Sequence, residues 1–166
     1  MEEATVTLRE AEIADLPAIS QLWLHYIEFH RQVGLAFAID ENSASAWAAG
    51  FERTLGRFSF IWLAEKDGVL VGFLAGRIKR IPSYLGGVSV GEIADLWVEE
   101  EARGRGTASG LCALALEKMR ELKVHSVEVQ VLSENTHAQA FWLSRGFTTE
   151  LVQFRQTLSQ DPADNA

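Results

Sequence analysis

The residues with the clearest chemistry lie in the stretch 92–116, EIADLWVEEEARGRGTASGLCALAL. An apolar, strand-like run ends at Val98, acidic Glu99, Glu100 and Glu101 follow, and Arg103-Gly104-Arg105-Gly106-Thr107-Ala108 then leads into an apolar helical pattern. Glycines two apart, followed by small residues, let a ligand approach the backbone of a helix's first turn. Amides there lack helical partners and carry the positive end of the helix dipole, so they suit a phosphate or pyrophosphate.

Three phosphate-binding designs use such a turn. A nucleoside-triphosphate loop needs a Lys-Ser/Thr pair after its last glycine, and Ser109-Gly110-Leu111 stands there instead. A dinucleotide fingerprint needs a third glycine where this chain has Ser109, and normally follows its strand directly, whereas five residues separate Val98 from Gly104. The third design fits better: Arg103-x-x-Gly106-x-Ala108 resembles the acetyl-CoA signature of GNAT-type N-acetyltransferases, Gln/Arg-x-x-Gly-x-Gly/Ala. Downstream, Asn135-x-x-Ala138-x-x-Phe141-Trp142-x-x-x-Gly146-Phe147 is similar to that family's Asn-x-x-Ala-x-x-(Leu/Phe)-Tyr-x-x-x-Gly-Phe. Arg9-Glu10-Ala11, followed by Asp15-Leu16, also looks like the start of such a domain.

The resemblance implies a mixed α/β fold: a central twisted, mostly antiparallel sheet with a V-shaped splay and helices on both faces. It implies acetyl-CoA as cosubstrate, with Leu96, Trp97 and Val98 on the pantetheine arm and Arg103, Gly104, Arg105, Gly106, Thr107 and Ala108 on the pyrophosphate. Asn135 is expected on the pantetheine side and Trp142 beside the cofactor. The implied reaction is transfer of an acetyl group to a primary amine, on a small molecule or a protein, by direct attack in a ternary complex. The competing reading is a non-catalytic CoA-binding module of the same fold.

A protonated amine cannot attack a thioester, so a base must take its proton. Glu92 is the first candidate, on the same strand as Val98, where some members of the family carry a glutamate. Strict alternation sets Asp95 on the opposite strand face from Glu92, in a structural role. The oxyanion formed on attack needs donors, for which strand amides around Trp97 and Val98 are the candidates. Trp142 stands where many members have a proton-donating tyrosine, and an indole does not supply a proton. Tyr84 is the alternative acid, and a thiol of pKa about 8.5 also leaves without help. His25, His30, His125 and His137 have no ligand-like spacing, so structural roles and no metal are expected.

Positioning these groups requires a regular framework, and the chain supplies one. Residues 5–9 alternate as a first strand, and Asp15 before Leu16-Pro17 predicts a capped helix with Ile19, Leu22, Trp23, Tyr26, Ile27 and His30 at helical spacing. Ser43 opens a second helix, whose Trp47 and Phe51, with Phe37 before it, pack on the sheet or line an acceptor pocket. Strands over 58–65 and 69–81 meet at Lys66-Asp67-Gly68, a hairpin turn. Arg77, Lys79 and Arg80 form a basic strand end. A strand over 88–98 precedes the glycine turn, and a helix then ends near Lys123. Val127, Val129 and Val131 mark the next strand, followed by a helix over 135–145 and a strand over 147–157.

At 166 residues the chain suits one domain, over 1–158, with a polar tail at 159–166. Hydrophobic residues at 48% and charged residues at 23% are globular proportions. The net charge of −8 argues against nucleic acid and favours a cationic amine partner. No apolar run approaches the roughly 18 residues that cross a membrane. A single cysteine, Cys112, and no signal-like start point to the cytoplasm. Homodimers are frequent in the family that the chain resembles.

Overall fold

The computed structural model describes residues 5–158, so the polar tail expected at 159–166 lies outside the described residues. These residues divide into two compact units between Glu134 and Asn135. The first holds a five-stranded sheet whose strands follow chain order: β1 (Thr7–Glu10), β2 (Ser59–Lys66), β3 (Val69–Arg80), β4 (Ser89–Val98) and β5 (Ser126–Val129). The first four pair antiparallel and β5 joins β4 in parallel. The expected hairpin is present, with Asp67 (φ 52°) and Gly68 (φ 76°) both left-handed, as a two-residue turn between right-twisted strands requires.

Helices cover both faces. The apolar stripe Leu16, Ile19, Leu22 and Trp23 of α1 (Leu16–Gln32), with Ala44 of α2 (Ser43–Glu52), packs on Ile61, Leu63, Phe73 and Ala75. On the other face lies α3 (Thr107–Glu121), which starts four residues before the first apolar position of its expected stripe, Leu111, and buries Leu111, Cys112, Ala115 and Met119. Two close approaches fix it there: a Cβ at Gly91 would fall 2.5 Å from Met119 Sδ, and one at Gly110 would fall 2.7 Å from Leu8 Cδ1. Both glycines hold helix and sheet at a separation that any side chain would widen.

Asp15 precedes α1 as expected, yet its carboxylate does not cap it. A short turn at Ile13–Asp15 comes first, and the Glu12 N–H donates to Asp15 Oδ2 at 2.8 Å. Arg9 donates to both Asp15 oxygens at 2.8 Å and to Glu65 at 3.0 and 3.1 Å, tying β1, β2 and the start of α1 together. Hydrogen bonding from Arg9 holds the Asp15 carboxyl below its ordinary range. A carboxylate whose folded pKa is depressed stabilises the fold above its unfolded value, about 3.9, and that stabilisation is lost as pH falls through the folded value. Asp15→Asn is therefore expected to lower stability by about 1 kcal/mol at pH 7, since Arg9 is half-exposed and screened. Urea titrations should show the difference vanishing in acid.

In the second unit, Asn135 Oδ1 accepts from the Ala138 N–H at 3.1 Å and so caps α4 (Thr136–Ser144). Trp142 is buried, edge-on to Phe141 at 5.0 Å and Phe147 at 5.1 Å. The strand expected over 147–157 is corrected: none of these residues is in a strand, and Leu151, Val152 and Phe154 are exposed. Alternation confers strand character only where a neighbouring ladder completes the backbone hydrogen bonds.

Candidate active site

Strand β4 carries the site, and two departures from regular pairing shape it. The first is the splay. Ile93 is the last residue of β4 paired with β5, on Val129, while β4 runs on to Val98 against β3. Among the described residues, Ala94 to Val98 thus present one edge with no strand beside it. The Glu99 N–H bonds Val71 O at 2.8 Å, so alternation along the ladder turns the backbone of Asp95 and Trp97 toward β3 and that of Leu96 and Val98 toward the open edge. Of the two amides expected for an oxyanion, only that of Val98 faces the gap. The Trp97 amide belongs to the ladder.

The second departure is a bulge. Ala75 pairs with Asp95 and Gly76 with Ile93, leaving Ala94 as the extra residue. One inserted residue reverses the parity of everything beyond it. Asp95 therefore shares the α1 face with Glu92, against the alternation expected from sequence. Both partners, Ala75 and Arg77, lie on that face of β3.

The two carboxylates sit differently. Glu92 is buried, not exposed at a strand start, and pairs with Arg77, with Lys79 Nζ at 3.9 Å; Lys79 also bonds Glu128. The basic strand end expected at Arg77 and Lys79 is thus an ion-pair ladder across β3, β4 and β5. Asp95 as a whole is half-buried, but protein surrounds its carboxylate. It accepts from Trp47 Nε1 of α2 at 3.1 Å. Desolvation pushes its carboxyl above the ordinary range, partly offset by bonds from Trp47 and Tyr26 and by the charges of His30 and Arg77. Burial and the neighbouring Asp95 also push the Tyr26 phenol well up, so it remains protonated.

Beyond Val98 the chain makes a turn, Glu100–Ala102, and enters the glycine loop. Arg103 folds back, its Nε donating to Val98 O at 2.8 Å and its guanidinium lying 4.8 Å from the centre of the Trp97 ring. Its side chain anchors the loop to the strand. Gly104 (φ 71°) and Gly106 (φ 80°) are left-handed, and a Cβ on either would meet nothing within 4 Å. Arg105 between them is exposed. Thr107 Oγ1 donates to Ala102 O at 3.0 Å, and no side chain caps α3. The first helical bond is Gly110 N–H to Gly106 O, so Thr107 and Ala108 have no carbonyl one turn back within the helix.

Of the remaining candidates, Tyr84 is 83% exposed on the turn Ser83–Leu85. Trp47 and Phe51 pack against one another at 4.7 Å, and Phe37 is exposed. His25 bonds Glu99, linking α1 to the end of β4. His30 packs on Tyr26 with ring centres 4.1 Å apart and planes tilted by 43°. His30, expected in a structural role, lies one turn after Tyr26 on α1.

Comparison with known proteins bears on this geometry. The profile of the acetyltransferase (GNAT) family matches residues 29–147. A mycothiol acetyltransferase of Sanguibacter keddieii is 33% identical over 99 residues, 60% of this chain and 31% of that protein. The matched stretch is thus about a third of the length of that relative. An aminoglycoside N-acetyltransferase in complex with CoA shares the fold at a TM-score of 0.74 and 19% identity, over 94% of this chain and 97% of its own. A predicted acetyltransferase of Clostridium acetobutylicum with acetyl-CoA does so at 0.74 and 16%, over 92% and 96%. At those identities the likeness concerns the fold alone. With the profile covering most of the chain, from the end of α1 to Phe147, this protein belongs to the acetyltransferase (GNAT) family.

Proposed function

We propose that this protein transfers the acetyl group of acetyl-CoA to a primary amine by direct attack in a ternary complex. The observation that carries the reading is the open edge of β4 running straight into the uncapped glycine turn. Backbone groups that face away from β3 need partners; Arg103 already meets Val98 O, and the amides of a pantetheine arm supply partners at Leu96. The diphosphate then meets the Thr107 and Ala108 amides at the positive end of α3. This places the thioester carbonyl near the Val98 N–H, a donor for the developing oxyanion.

The acceptor enters on the α1 face, where Asp95 offers a carboxylate and Trp47 a wall. A cationic amine fits that face and the net charge of −8. The names of the mycothiol and aminoglycoside acetyltransferases support a small-molecule acceptor. The CoA thiolate leaves without an acid, since Trp142 has no proton to give and a thiol of pKa about 8.5 is a competent leaving group.

The test combines CoA calorimetry with acetyl-CoA consumption across a panel of small amines and peptides. Micromolar CoA binding with turnover on an amine is expected. Binding without turnover on any amine would make the protein a CoA-binding module, the reading that Trp142 favours, and no CoA binding would end both.

A further inference from the structure

We propose that the imidazole of His30 is the base that takes the proton from the acceptor ammonium, an assignment that rests on the acetyl-transfer reading above. His30 Nδ1 lies 2.8 Å from the Tyr26 carbonyl, one turn back on α1. A carbonyl oxygen only accepts, so Nδ1 carries the hydrogen and the neutral ring holds its lone pair on Nε2. The helix thus sets the tautomer that a base requires. No hydrogen bond engages Nε2 among the described residues.

The surroundings place this ring where the proton must be removed. Tyr26, packed on His30, reaches the bulge with its hydroxyl 3.4 Å from Ala94 O. Phe29 packs on His30 at 5.7 Å and on Trp97 at 5.8 Å. Tyr26 and Phe29 thus connect the imidazole to Ala94 and Trp97, on the part of β4 that β5 has left open. The titratable and charged groups facing it are Tyr26 on its own helix, Asp95 on β4 and, through Asp95, Arg77 on β3. Tyr26 stays neutral, Asp95 supports the imidazolium once formed, and Arg77 opposes it. The C-terminal end of α1 adds a partial negative charge that also favours the cation.

The two carboxylates are less suited. Glu92 is held by Arg77 and Lys79, and protonating it would leave two cations facing a neutral acid. Asp95 accepts from Trp47 Nε1, so taking a proton would set it against that donor. The His30 ring, in contrast, already donates from Nδ1 to Tyr26 O and holds Nε2 ready to accept, so taking a proton needs no such rearrangement.

The step balances without a co-reactant. Nε2 takes one proton from R–NH3+, giving R–NH2 and imidazolium, and the amine forms the C–N bond to the thioester carbon. Collapse of the adduct breaks the C–S bond, the nitrogen's second proton goes to the departing sulfur, and imidazolium returns its proton to solvent. The products are the amide, CoA–SH and one proton.

His30→Asn tests this, because the Asn amide keeps a donor for the Tyr26 carbonyl while removing Nε2. The readouts are kcat and kcat/KM against pH, CoA affinity by calorimetry and thermal unfolding, with Glu92→Gln measured alongside. The expected result for His30→Asn is a fall in kcat of about 100-fold, within the range for loss of a general base. The acid limb of kcat/KM should disappear, CoA affinity and melting temperature should hold, and added imidazole should restore rate to His30→Gly. Glu92→Gln should keep the acid limb. Turnover by His30→Asn at the wild-type rate with its acid limb intact overturns the assignment of His30 alone. A wild type that binds CoA but acetylates no amine overturns the reading of the site, and this role with it.

Discussion

Gly106→Val is expected to weaken CoA binding by about 100-fold while leaving the protein folded. Gly106 sits at φ 80°, which a β-branched residue adopts at a cost of roughly 1–2 kcal/mol, so the loop will shift to relieve it. Nothing lies within 4 Å of the position that its Cβ would take, so the core is untouched and the strain stays local. The Thr107 and Ala108 amides follow the glycine directly, and a change of φ there swings them off the position proposed for the diphosphate. A hydrogen bond to a charged group is worth about 1.5–3 kcal/mol, so losing one or two costs on the order of 100-fold in affinity. Calorimetry with CoA beside a thermal melt separates binding from folding. An unchanged affinity in a folded variant would remove the glycine turn from the cofactor site.

Phe73→Ala should lower stability by about 3–5 kcal/mol, the range for deleting a fully buried aromatic ring. Phe73 is 0% exposed and lies beneath the acceptor face, its ring centre 5.8 Å from Trp47 and 6.3 Å from Tyr26. Trp47 bonds Asp95 and Tyr26 reaches Ala94 beside it, so the cavity loosens the face proposed to receive the amine. Urea unfolding gives the stability change. At temperatures where the variant remains folded, kcat should fall more than CoA affinity does, because the glycine turn does not touch this ring. A loss below about 1 kcal/mol would mean that α1 and α2 repack freely over β3, and that the acceptor wall is not held from below.

The contrast between these two positions shows what was legible beforehand. Gly104 and Gly106 announced themselves because a left-handed backbone is a local property, and glycine is the residue that adopts it without strain. The same holds for Asp67-Gly68, and for the helical stripe of α1, whose period is written in consecutive residues. Glu92 was recognised as a β4 carboxylate, but its engagement by Arg77 and Lys79 depends on the register of β3 against β4. Asp95 was set on the wrong face because alternation was counted through Ala94 as though the strand were regular. The stretch 147–157 alternates like a strand and is not one among the described residues.

By itself the sequence determined the order of elements up to the helix that begins near Asn135, the hairpin, the glycine turn after β4 and the family, each of which follows from neighbouring residues and their backbone preferences. Only the tertiary structure decided which groups share the face above the open edge: one extra residue at Ala94 inverts side-chain parity, and α1 brings the Tyr26 hydroxyl to Ala94 with the His30 ring against Tyr26. Parity and register are relations between strands far apart in the chain, set by pairing energies summed over the whole sheet, and no local pattern encodes them.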